Sequence, residues 1–181
     1  MLRLREETSG HHQRAEAAAS VDQMLVDRTT YASGLIRFYR VWRPLENAII
    51  GSCLDLPPKV EERWRSAKLE GDLTMLGTAV SEIAMEPLGY ALETQAQVTG
   101  ALYVMEGSTL GGQIVARMIS ERLGLISATG ASFFTAHGPD TSARWKEFTE
   151  WAPASIPESD FSDCVASAQR TFETIEHSFL S

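Results

Sequence analysis

Only two cysteines occur in 181 residues, Cys53 and Cys164, and they form no C-x-x-C pattern. Neither a disulfide framework nor a structural zinc site follows from them. Positive charge is also in short supply. Lys+Arg 16 against Asp+Glu 24 leaves a formal net charge of -8, which argues against a nucleic-acid-binding surface, because phosphate backbones need a basic stripe. No apolar run approaches the ~20 residues of a membrane span, so no membrane association is expected. The opening MLRLREETSGHHQR is polar from its third residue, so no signal peptide is expected either. No stretch alternates with period two between turn signals, and there is no repeat or low-complexity tract. The composition is 44% hydrophobic and 22% charged, that of a soluble domain with a real core. The expectation is one all-α domain over residues 1–181, cytoplasmic in location.

Helical periodicity runs through most of the chain. Leu35, Phe38, Tyr39, Trp42, Leu45 and Ile49 recur at i, i+3, i+4, i+7 within Thr29–Cys53, the stripe of an amphipathic helix. Asp27 and Thr29 are capping-type residues at its start, and Gly51 lies near its end. A first helix is expected from Leu2 to about Ala19, and a further one from Pro58 to Leu76 with proline in its first turn. A break around Glu86–Gly89 precedes a long helix, Leu92 to Leu123. A glycine-containing segment, Gly124 to Asp140, then leads to a short helix, Ser142 to Trp151. Pro153, Ile156 and Pro157 break the chain before a last helix, Glu158 to Phe179. Phe133 and Phe134 are expected to pack their loop onto the bundle, and both cysteines to be small buried hydrophobes.

Two local features stand out. The first is His11-His12 in the N-terminal helix. Histidines on helices are more often surface or hydrogen-bonded core residues than metal ligands, and helical spacing alone admits either residue as the functional one. What marks His12 is Glu16 one turn later, a carboxylate able to hold the second nitrogen of a ligating imidazole. Ala15, Ala18 and Ala19 leave room beside it for something flat.

The second feature is Tyr103-Val-Met-Glu-Gly107-Ser108-Thr-Leu-Gly111-Gly112-Gln113 inside the long helix. Each interior glycine costs about 1 kcal/mol relative to alanine. Gly100, Gly107 and Gly111 fall at i, i+7 and i+11, on one face. Two readings stand side by side: close helix–helix packing, or a kinked helix whose backbone approaches a planar ligand. A phosphate loop is excluded, since no strand precedes and no Gly-Lys-Ser/Thr follows. A di-iron bundle fails on spacing, because none of His11, His12, His137 and His177 has Glu three residues before it.

Leu4-Arg5-Glu-Glu-Thr8-Ser-Gly-His-His12-Gln-Arg-Ala-Glu16 resembles the first helix of heme oxygenases, L-[KR]-x-x-T-x-x-x-H-x-x-x-E. Tyr103 to Gly112 resembles their glycine-rich distal helix and is most similar to the bacterial, bacteriophytochrome-associated branch. Gly130-Ala-Ser-Phe-Phe134 and Trp145-Lys-Glu-Phe148 also look like that branch.

The resemblance implies an all-α, single-domain heme oxygenase-like bundle, with heme as both substrate and cofactor between proximal and distal helices. His12 is then the axial ligand to heme iron and Glu16 its partner, while Gly107 and Gly111 let the distal backbone come close. The implied reaction opens heme to biliverdin, carbon monoxide and ferrous iron with dioxygen and reductant electrons. The implied donor is a ferredoxin or flavin reductase, and the implied biliverdin acceptor a bacteriophytochrome. Arg5, seven residues before His12, and Arg170 are candidate propionate partners, or else solvated surface residues. Many of the family carry Asp where this chain has Ser108, which can order a water but brings no fixed charge. The competing readings are a heme storage, transfer or sensing protein without turnover, and a bundle of similar shape for another small ligand.

Overall fold

A computed structural model describes all residues from Met1 to Ser181. It contains eight α-helices and no strand: α1 Leu2–Ala18, α2 Val21–Met24, α3 Arg28–Gly51, α4 Ser66–Met75, α5 Gln95–Leu123, α6 Ser132–Thr135, α7 Thr141–Ser155 and α8 Phe161–Leu180. The all-α expectation holds. Helix α5 lies along α8, which carries α1 on another side, while α3 packs on both α8 and α4, and α6 and α7 pack on α5. One hydrophobic cluster joins them, with Trp42, Tyr31, Phe133 and Phe148 among its fully buried side chains.

Local chemistry sets the longest elements. At the start of α3 the Asp27 carboxylate accepts the N–H groups of Thr29 and Thr30, both at 2.8 Å, and Thr30 Oγ1 accepts the Asp27 N–H at 3.0 Å. These contacts satisfy donors that a helix start would otherwise leave open, and they hold the Asp27 carboxyl below its ordinary pKa. Helix α5 begins with a reciprocal pair, Gln97 N–H to Thr94 Oγ1 at 3.3 Å and Thr94 N–H to Gln97 Oε1 at 3.1 Å. It ends on Gly124 at φ +67, the left-handed position that favours glycine.

Pro58–Leu76 is not one helix. Lys59 turns left-handed, Val60–Arg63 forms a 3-10 turn, Trp64 is extended, and only then does α4 begin. The cause lies on α3. The buried Glu46 carboxylate accepts the N–H groups of Arg65 at 2.6 Å and Ser66 at 3.1 Å, capping α4 from another helix. Arg63 is drawn inward as well, with its Nη1 2.6 Å from Glu106 Oε2 and its Nε donating to the Pro58 carbonyl.

Other boundaries differ less. Helix α7 continues through Pro153 to Ser155, four residues past the expected Trp151, since proline in a last turn forfeits a single hydrogen bond. The Gly124–Asp140 segment holds the short helix α6. There the Asp72 carboxylate of α4 accepts the N–H groups of Ser132 and Phe133 at 2.9 and 2.8 Å, and both Phe133 and Phe134 are buried as expected. Cys164 is buried, and burial pushes its thiol pKa up to about 12. Cys53 corrects the expectation for cysteine: it is exposed, because it follows the end of α3 at a left-handed φ of 54.

Candidate functional site

Helix α1 buries Leu4, Thr8 and Ala15 and leaves Arg5, His12 and Glu16 exposed. Its two histidines have different surroundings. His11 is partly buried and uses Nε2 against Glu173 of α8 at 3.3 Å. His12 keeps 53% of its side chain exposed, with Nε2 3.2 Å from Glu16 Oε1. Its ring tilts against that of Phe172, 5.3 Å between centroids. Glu16 thus engages one imidazole nitrogen and leaves Nδ1 for another partner. Across from α1, the Tyr103 phenol of α5 lies by Thr8 and Arg5. Burial raises its pKa, and those two neighbours oppose the rise.

The glycines of α5 divide by environment rather than sharing one. A Cβ on Gly100 would run into the Cys164 carbonyl oxygen of α8, and one on Gly112 would stand 2.7 Å from the Phe134 carbonyl oxygen. Those two glycines serve packing. A Cβ on Gly107 would make an ordinary 3.7 Å contact with the Trp145 ring, and one on Gly111 would meet nothing within 4 Å. Packing therefore explains neither Gly107 nor Gly111. The helix runs unbroken through all four.

Between Gly107 and Gly111 the hydroxyl of Ser108 donates to the Met105 carbonyl at 2.7 Å and accepts from Arg65 Nη2 at 2.6 Å. Arg65 is 3% exposed. Its Nη2 also donates to the Met105 carbonyl at 2.5 Å, and its guanidinium faces the rings of Trp42 and Phe133, 5.2 and 4.8 Å from their centroids. Burial pulls its pKa down to about 10, while Glu106 and Glu46 act to raise it, so it is a cation at neutral pH. Beside it, Trp42 Nε1 is buried without an acceptor.

The expected site residues are brought together only in part. His12 and Glu16 form a pair, and Arg5 lies on the same open side of α1, two turns away. Arg170 is set apart: it lines a shallow pocket with Tyr90, Gln97 and Asp163. Two positions along α8 turn about 200°, so Arg170 faces away from Phe172, which touches His12. Arg65 and the Phe172 contact escape a reading of the sequence. Nothing local marks an arginine inside an apparent helix as the buried neighbour of a serine 43 positions later.

Residues 1–180 match the family described as heme oxygenase. A curated heme oxygenase of Xanthomonas campestris pv. campestris is 31% identical over 150 residues, covering 81% of this chain and 87% of the relative. Among solved structures, the heme oxygenase of Leptospira interrogans superposes with a TM-score of 0.80 at 24% identity, covering 97% of this chain and 96% of that one. Heme oxygenase-1 of the cyanobacterium Synechocystis, solved in complex with heme, gives 0.74 at 20% identity, covering 98% and 89%. These last two likenesses are of fold.

Proposed function

The chain belongs to the heme oxygenase family, and from that premise we propose that it opens heme to biliverdin, carbon monoxide and ferrous iron, with heme as both substrate and cofactor. The observation that carries this reading for this chain is the split among its glycines. Gly100 and Gly112 are required by neighbouring backbone, whereas Gly107 and Gly111 face space that a Cβ could occupy. A helix that gives up side chains without a packing reason is suited to close approach by a flat group. The exposed side of α1 suits heme as well: an imidazole held by a carboxylate, with an aromatic ring beside it.

Heme, when bound, supplies the iron that activates dioxygen and the macrocycle that is opened. His12 would hold the iron through one neutral ring nitrogen while Glu16 accepts from the other, fixing tautomer and ring orientation. A neutral imidazole avoids the electron push of a thiolate, which favours O–O cleavage. Gly107 and Gly111 let the α5 backbone come close, and the bulk of neighbouring side chains then decides which edges of the macrocycle stay open. Ser108 orders a water through its hydroxyl. Arg5, on the His12 side of α1, suits a propionate. Arg170, proposed for the same task from the resemblance, draws no support from its pocket beside Tyr90.

We assign electron supply to a ferredoxin or flavin reductase in the cytoplasm, and biliverdin acceptance to a bacteriophytochrome, on the resemblance of the 103–112 segment to that branch. The deciding experiment is aerobic turnover of the hemin complex with a reductant in the presence of catalase. Biliverdin with carbon monoxide release is expected. Bleaching that catalase suppresses, with no biliverdin, would leave a heme-binding protein without turnover.

A further inference from the structure

We propose that Arg65 is a positioning residue of the distal site, fixing the Ser108 hydroxyl as an acceptor and setting a buried cation behind the Gly107–Gly111 stretch. The inference rests on the heme reading above and assigns this site an electrostatic sign that Ser108 by itself does not have.

The polarity follows from counting hydrogen bonds. A serine hydroxyl has one proton and two lone pairs. Ser108 uses its proton on the Met105 carbonyl and one lone pair on Arg65. A single lone pair is left, so the hydroxyl meets solvent only as an acceptor. A water seated there points one O–H at Ser108 and has its other O–H free to donate.

No carboxylate hydrogen-bonds the Arg65 guanidinium, although Glu106 and Glu46 lie near enough to favour its cation. The side-chain hydrogen bonds of Arg65 go to neutral oxygens, the Met105 carbonyl and Ser108. Glu106 is occupied by Arg63 at 2.6 Å, and Glu46 by backbone N–H groups. Two further neighbours carry no negative charge: Lys68 donates to the Ala136 carbonyl, and His137 is held neutral by burial and by the cations around it. In a low-dielectric setting the guanidinium field reaches the serine little screened. A role in packing alone is a poor account, because an apolar side chain would fill the space between Trp42 and Phe133 without burying a charge. The unpaired Trp42 Nε1 is a second buried donor next to Arg65, as expected where an ordered water belongs.

Carbon monoxide on the ferrous heme complex reads this potential directly, since positive potential near its oxygen lowers the C–O stretching frequency by favouring back-donation. The stretch is to be measured by infrared spectroscopy for the native chain and for Arg65→Lys, Arg65→Met, Ser108→Asn and Ser108→Asp. The native chain, Arg65→Lys and Ser108→Asn are expected to group at low frequency. Arg65→Met and Ser108→Asp are expected to shift upward, the second because a carboxylate there neutralises Arg65 while leaving it in place. If Arg65→Met does not fold, the Asp–Asn comparison carries the test alone. A complex that forms normally but shows the same frequency with Asp as with Asn overturns the role of Arg65 and spares the heme reading. Failure of the folded native chain to bind hemin overturns both.

Discussion

The carbonyl oxygen of Phe134 lies 2.7 Å from where a Cβ on Gly112 would stand, whereas a Cβ on the adjacent Gly111 would meet nothing within 4 Å. Neighbouring glycines of one helix are thus under different constraints. Gly112→Ala is expected to destabilise the heme-free protein by about 1–3 kcal/mol, since backbone must shift. Gly111→Ala is expected to stabilise it by up to about 1 kcal/mol through helix propensity, while slowing biliverdin formation. Urea denaturation followed by hemin turnover checks both halves.

The different partners of His11 and His12 separate their variants. His12→Ala is expected to remove axial ligation, seen as loss of the native ferric absorption spectrum and of turnover, with added imidazole restoring part of the spectrum. His11→Ala loses only the partly exposed contact with Glu173, about 0–1 kcal/mol of stability, and keeps the native hemin spectrum. The opposite pairing of phenotypes would put the ligand at His11.

Asp72 ties α6 to α4 by accepting two backbone N–H groups. Asp72→Ala leaves both donors unpaired in a largely buried place and is expected to cost about 2–3 kcal/mol. Because Phe133 stacks on Arg65, the near-ultraviolet circular dichroism of the aromatic cluster should weaken too. Asp72→Asn, which keeps one acceptor oxygen, should fall between.

His137 sets an acid limit. Burial and the neighbouring Arg65, Lys68 and Arg63 lower its pKa from 6.5 to about 4, with Asp140 in opposition. Between these values the unfolded chain binds the proton and the folded chain does not, so this residue's contribution to stability falls as pH drops through that window. The group is only half buried, so screening reduces the effect to on the order of 1 kcal/mol. His137→Gln should therefore lose less stability than the native chain between pH 7 and pH 5. Equal losses in urea midpoint would refute the assignment. The buried carboxylates Glu46, Asp72 and Glu106 have raised pKa values and act in the other direction, but equally in both proteins.

What the sequence discloses depends on how far a residue's partner lies along the chain. The start of α3 at Asp27 and the end of α5 at Gly124 are written in neighbouring residues and are legible, while the start of α5 falls at Gln95 rather than the expected Leu92. The pairing of His12 with Glu16, one turn apart, is legible too. The break before Ser66 is not, because its cause is Glu46, 19 residues upstream on another helix. The division among the glycines is equally hidden, since Cys164 and Phe134 set it from other helices. Arg170 shows the converse: a residue chosen for its motif neighbourhood lies on a different side of α8 from the ring that meets His12.

The capping of α4 by Glu46 also bears on the order of assembly. The first turn of α4 takes its hydrogen-bond acceptor from α3, and a ten-residue segment is too short to nucleate by itself in water. Helix α4 therefore condenses onto an α3 that already exists, a contact of short sequence separation and low entropic cost to close. The same contact holds the Arg65 backbone without any part of α5, so the buried cation is tethered from α3 while Met105 and Ser108 of α5 close over it.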